Sequence, residues 1–130
     1  MQMAIEIGTK GFAEALVEQE DTAKIVGSGD LLVYATPCMV ALMEGAACES
    51  ISPFLAEGES SVGTMMNVAH TSATPVGMEV RAESVVTAVD SRKVSFEIVA
   101  YDEAGEIGRA THERFIIKAE RFLEKTYDKL

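Results

Sequence analysis

Residues 36–50, Thr36-Pro-Cys-Met-Val-Ala-Leu-Met-Glu-Gly-Ala-Ala-Cys-Glu-Ser50, decide how the rest of the chain is read. Thr36 can cap the free amides of a helix start, and Pro37 tolerates the first helical position. From 37 to 50 apolar residues occupy nearly every face, so the helix is expected to be enclosed by protein. Gly45 and the alanines beside it allow close backbone approach. Pro53 marks the end, with Phe54 and Leu55 packing beyond it. One carboxylate, Glu44, stands inside the run, between Leu42-Met43 and Gly45-Ala46-Ala47.

Downstream the chain reads as strands. The first is 60–70, followed by the turn Thr74-Pro75-Val76-Gly77. The second, 78–89, sets Glu79, Arg81 and Glu83 on one face. After the tight turn Asp90-Ser91-Arg92 comes 93–101, where Val94, Phe96 and Ile98 alternate with Ser95, Glu97 and Val99. Residues 102–105 close another hairpin onto 106–118, and the charged tail 119–130 reads as a short helix. Upstream, 11–26 reads as an opening strand with a short helix as its rival, and Gly27-Ser28-Gly29-Asp30 is a loop. One enclosed helix followed by an antiparallel meander predicts an α+β fold with the sheet wrapped around that helix. Such a sheet leaves edges and an uncovered flank, so a homodimer is expected.

A chain of 130 residues suits a single domain spanning 1–130. Its 48% apolar content excludes global disorder. The net charge of −10 makes nucleic acid and membrane poor partners and opposes any anionic ligand unless basic residues cluster; only eleven Lys and Arg are available. Cys38 and Cys48 lie about 15 Å apart along one helix, too far to bridge. Free buried cysteines point to a reducing cytoplasm. Met1–Glu6 lacks the basic flank and apolar run of a signal peptide, and no apolar run approaches the roughly 20 residues of a membrane span. The expectation is a soluble, cytoplasmic protein.

A hydroxyl, a carboxylate and an imidazole are the side chains that acyl transfer uses. Glu44 is either a base or nucleophile at a pocket mouth or a residue on a wet side of its helix; burial without a partner would cost several kcal/mol. His70 ends a strand and shares its face with Val62, Thr64, Met66 and Val68. It is either a core histidine satisfied by a backbone carbonyl or a proton shuttle. Thr36 caps the helix or offers its hydroxyl to a ligand at the positive helix end. Thr36 and Glu44 are separated by about 12 Å of helix, so they act together only through a bridging ligand or water, or from opposite chains of a dimer. His112, among charged neighbours, reads as structural or solvent-facing. Gly27-Ser28-Gly29 lacks the Lys-Ser/Thr ending of a phosphate loop, no His/Cys group has metal spacing, and no serine stands in a Gly-x-Ser-x-Gly elbow. The methionines read as core or pocket lining.

Four segments in order carry a resemblance: Ala35-Thr-Pro-Cys-Met-Val-Ala-Leu-Met-Glu44, Ser61-Val-Gly-Thr-Met-Met-Asn-Val-Ala-His70, Ala73-Thr-Pro-Val-Gly77 and Gly108-Arg-Ala-Thr-His-Glu-Arg114. Over residues 10–122 the chain resembles the fluoroacetyl-CoA thioesterase family of hotdog-fold thioesterases. The resemblance implies a hotdog domain, dimeric, with sites near the dimer interface. It implies catalytic roles for Thr36, Glu44 and His70, and a place beside the thioester carbonyl for Gly63. The fluoroacetyl-specific enzyme carries phenylalanines before its catalytic threonine; here Gly29-Asp-Leu-Leu-Val-Tyr-Ala35 has none. Leu31, Leu32 or Tyr34 is left to cover the pocket, and a different acyl group is expected. The implied reaction is hydrolysis of a small or medium acyl-CoA to free acid and coenzyme A by a homodimer or higher homo-oligomer. No cofactor is expected beyond the coenzyme A of the substrate, and no metal. Arg81, Arg92, Arg109 and Arg114 stand unranked as contacts for its phosphates. The alternative is a non-catalytic acyl-CoA or small-ligand binding protein on the same fold. An acyl hydratase is disfavoured because no Asp is followed at short spacing by His.

Overall fold

Val94, Phe96, Ile98 and Ala100 are all buried on one face of a strand, Lys93–Asp102, which lies at the centre of the sheet. The computed structural model describes residues 4–130; Met1–Met3, the start of the segment read above for a leader, lie outside the described residues. In chain order the strands are β1 (Lys10–Leu16), β2 (Glu59–His70), β3 (Glu79–Asp90), β4 (Lys93–Asp102) and β5 (Gly105–Lys118). The helices are α1 (Ala23–Val26), α2 (Thr36–Ile51) and α3 (Ala119–Tyr127). All strand pairs are antiparallel, in the order β1-β3-β4-β5-β2. The opening region resolves into both of its rival readings, a strand and then short helical turns.

The sheet curls over α2, which seats Met39, Met43, Ala46, Ala47 and Ile51, all fully buried, on Val80, Ala82 and Val86 of β3 and the buried face of β4. The alternation expected for β3 and β4 is present. Close helix–sheet approach falls at Gly11 rather than Gly45. A Cβ at 11 would collide with the Ala46 carbonyl and Ser50, whereas one at 45 would make an ordinary 3.7 Å contact with Ala13.

Three expectations are corrected. β2 does not join the meander: only β3, β4 and β5 are hairpin-connected, and β1 occupies the other edge of β3. The 12-residue β2 therefore pairs with the 14-residue β5 and forms an edge. The helix is not enclosed on every side within one chain: Pro37, Ala41, Gly45 and Glu49, spaced by four, form an exposed stripe. Finally, the face assigned to His70 is interrupted. A bulge between Gly63 and Met65 shifts the β2–β5 register, so Val62 and Thr64 do not continue the face of Met66, Val68 and His70. Among the described residues no helix is long and apolar enough to cross a membrane.

Candidate active site

The N-terminus of α2 meets the C-terminal end of β2, and there Thr36 Oγ1 lies 2.7 Å from His70 Nδ1. Thr36 is the first helical residue and its side chain does not cap the helix. The sequence favours that capping role locally, but the hydroxyl turns to the imidazole instead. The approach to Thr36 is strapped down: Tyr34 N–H donates to the Thr74 carbonyl (2.8 Å) and Ala35 N–H to the Asp21 carbonyl (2.9 Å). A pocket of about 250 Å³ opens over the pair, lined by Ala23, Val33, Tyr34 and Thr71 among others. Tyr34 is buried, and burial pushes its phenol well above the usual range, so it is a neutral group in the wall. Leu31 is 67% exposed and does not line the pocket.

Burial lowers the His70 pKa, with the neighbouring Ser72 backbone pulling weakly the other way. The ring is therefore neutral at neutral pH and able to accept a proton. Its Nε2 is buried without a well-formed hydrogen bond. Burial raises the nearby Cys38 thiol, Asp21 adding to the effect, so Cys38 is protonated and a poor nucleophile.

Two turns further along α2, Glu44 faces a different set of groups. Arg114 Nη1 donates to Glu44 Oε2 at 2.9 Å. A Cβ placed on Gly63 would lie 2.5 Å from that same oxygen and 3.1 Å from His112 Cε1. Arg114 is 6% exposed and its guanidinium is closely held. Nε donates to Ser61 Oγ (2.9 Å), Nη2 to the Ser61 carbonyl (3.1 Å), and Nη1 also contacts His112 Nε2 (3.2 Å). The bulge makes this cluster possible. Gly63 and His70 are seven residues apart, so strict alternation would set them on opposite faces of β2; the extra residue at Thr64 turns both toward α2.

The sequence-predicted residues thus fall into two groups within one chain, Thr36 with His70 and Glu44 with Gly63. The regular helix holds Thr36 and Glu44 about 12 Å apart along its axis. The reading from sequence missed the role of Arg114 as a buried partner of Glu44, and His112 is fully buried rather than solvent-facing. The available signal was their i, i+2 spacing on β5, which puts both side chains on the face that carries Ala110. A larger cleft of about 530 Å³ is remote from both groups; Phe12, Asn67, Val85, Val99 and Thr111 place it on the sheet face turned away from α2.

The chain is similar to known proteins over most of its length. Residues 17–120 match the family described as fluoroacetyl-CoA-specific thioesterase. The chain is 42% identical over 97 residues to a fluoroacetyl-CoA thioesterase from Streptantibioticus cattleyicolor, covering 75% of this chain and 70% of that one. Among solved structures it is similar to the fluoroacetyl-CoA thioesterase FlK, with 33% identity, TM-score 0.92, and coverage of 98% and 99% of the two chains. A variant of FlK in complex with acetyl-CoA superposes with TM-score 0.89 at 33% identity, over 95% of this chain and 98% of that one.

Proposed function

The chain belongs to the fluoroacetyl-CoA-specific thioesterase family; from that premise we propose that this hotdog-fold thioester hydrolase cleaves a small or medium acyl-CoA to free acid and coenzyme A through Thr36, His70 and Glu44. The observation that carries the reading is the 2.7 Å contact of a hydroxyl with a neutral imidazole at a helix N-terminus, inside a pocket. A nucleophile within hydrogen-bond reach of a base is the arrangement that acyl transfer needs.

In this reading the Thr36 hydroxyl donates to His70 Nδ1 and its oxygen attacks the thioester carbonyl. The C–S bond breaks, the thiol leaves with the proton held by His70, and an acyl ester remains on Thr36. Water then attacks that ester, giving its proton to a carboxylate oxygen of Glu44; the ester C–O bond breaks, and the same proton passes to the leaving Thr36 oxygen, which frees the acid and restores both residues. Backbone amides near Gly63 hold the oxyanion, and the missing side chain there lets the thioester approach. Tyr34 walls the acyl pocket, whereas Leu31, exposed and outside its lining, has no part in it. The pocket is small and residues 29–35 contain no phenylalanine; both features fit a short acyl group other than fluoroacetyl. Side chains and water supply all the chemistry, so no cofactor is invoked beyond the coenzyme A of the substrate. Two free cysteines fit a reducing cytoplasm.

A homodimer, or a higher homo-oligomer, completes the reading. The 12 Å between Thr36 and Glu44 is too far for one reacting carbon to touch both. Joining Glu44 of one copy to the Thr36–His70 pair of another removes the difficulty. The exposed stripe on α2 and the free edge of β2 are surfaces that a second copy would cover.

The test is thiol release from a panel of acyl-CoAs of increasing chain length, fluoroacetyl-CoA included, with wild type, Glu44→Gln and Thr36→Ala in parallel. Wild type is expected to turn over a short acyl-CoA, with kcat reduced about 10²- to 10⁴-fold in each variant. Silence across the panel from folded wild type, or full turnover by Glu44→Gln, would overturn the assignment.

A further inference from the structure

Behind Glu44 lies a buried histidine that the reaction as written does not use. His112 is 1% exposed on β5, its ring centroid 5.8 Å from that of Phe96 on β4 and tilted 30° to it. Its Nδ1 is 2.7 Å from the Met65 carbonyl on β2. A carbonyl only accepts, so the proton sits on Nδ1 and Nε2 carries the lone pair. That lone pair faces Arg114 Nη1 at 3.2 Å. Four of the five guanidinium hydrogens then have a place. The Nε hydrogen goes to Ser61 Oγ, one Nη2 hydrogen to the Ser61 carbonyl, one Nη1 hydrogen to Glu44 Oε2, and the other Nη1 hydrogen to His112.

We propose that His112 is a positioning residue for hydrolysis. Resting on the function proposed above, it extends that reading to a residue that touches no substrate. As a neutral acceptor locked by Met65, it fixes the Arg114 head, which grips Glu44 by Oε2 alone. Glu44 Oε1 makes no hydrogen bond among the described residues, so it is the oxygen presented to the attacking water. The device depends on neutrality. Protonated His112 would aim an N–H at the Arg114 cation, losing an acceptor and adding a like charge. The groups facing the ring are Arg114 on its own strand, Glu44 on α2 (Oε2 at 3.8 Å), the Met65 carbonyl on β2 and Phe96 on β4. Desolvation by burial lowers the His112 pKa, Arg114 acting the same way and Met65, Glu44 and the adjacent Glu113 opposing it, so the neutral form prevails at neutral pH.

Two variants separate positioning from packing. His112→Phe keeps an aromatic ring against Phe96 and removes both ring nitrogens. His112→Gln keeps an acceptor for Arg114 and a donor for Met65. The proposal expects kcat to fall about 10- to 100-fold in His112→Phe with KM nearly unchanged, and to recover most of the loss in His112→Gln. On the acid side, the slope of log kcat against pH is expected to be about one unit shallower in His112→Gln than in wild type, because one group that must be unprotonated has been removed. Wild-type kcat in folded His112→Phe, or an equal loss in both variants, overturns the proposal. Should His112→Phe fail to fold, an unchanged acid slope in His112→Gln overturns it. Glu44→Gln, assayed beside them, tells the two failures apart. If it is inactive while His112→Phe is normal, only the positioning role falls; if it retains full turnover, the catalytic reading falls and takes this proposal with it.

Discussion

An added methyl at position 63 would press on Glu44 Oε2 and the His112 ring at once. Neither neighbour has slack, because Arg114 holds the first and Met65 the second. Gly63→Ala is therefore expected to displace the Glu44 carboxylate by a sizeable fraction of an ångström and to lower kcat about 100-fold. The backbone at 63 does not require glycine, since its φ lies outside the left-handed region, so the thermal transition should move little. Steady-state kinetics beside a melting curve checks both halves, and a wild-type kcat would show that the close packing has no catalytic consequence.

Among the elements, β2 does most to assemble the site. It is an edge strand with one interruption, and that interruption turns Gly63 and Ser61 toward the helix face that His70 already occupies. Deleting Thr64 would restore plain alternation and rotate Ser61 and Gly63 to the outer face. Arg114 would then lose both of its Ser61 partners and Glu44 its neighbour, while the β3-β4-β5 meander and the buried face of α2 stay as they are. The expected outcome is a folded protein, judged by far-ultraviolet circular dichroism, with thiol release lost. Retained turnover in that deletion would show that the bulge is dispensable. Strand periodicity read from sequence places Val62 to His70 on one face because a bulge leaves no residue-type mark in this segment; Gly63-Thr64 reads as ordinary strand. The same limit applies to β2 as a neighbour of β5. Adjacency along the chain suggests a hairpin with β3, but β1, distant in sequence, takes that edge.

At the scale of the whole molecule, the division of the site into two groups makes a prediction about subunits. Thr36→Ala and Glu44→Gln chains are each expected to be inactive alone. Mixed and allowed to exchange, half the dimers would contain one of each, and half of their sites would be intact. Activity should return to about a quarter of wild type if the site is built across two copies. No recovery, with exchange verified by mass spectrometry of a labelled subunit, would place the whole reaction within one chain.

The sequence by itself determined the helix, the strand alternation and the residue types able to do acyl-transfer chemistry, because each is a local property. Thr36-Pro37 starts the helix, Val94 to Ile98 alternate, and Thr36, Glu44 and His70 are visible as polar groups in awkward company. It also determined the family, since four short segments in the right order suffice to carry the resemblance. Only the tertiary structure decided what those groups touch. Thr36 read first as a helix cap until its hydroxyl met a histidine 34 residues away. Arg114 was one of four unranked arginines until burial and Ser61 committed it to Glu44. His112 looked structural or solvent-facing until the sheet closed over it. The physical reason is common to all three. A side chain's role here is set by a partner on another strand or helix, and strand register, one bulge included, chooses that partner.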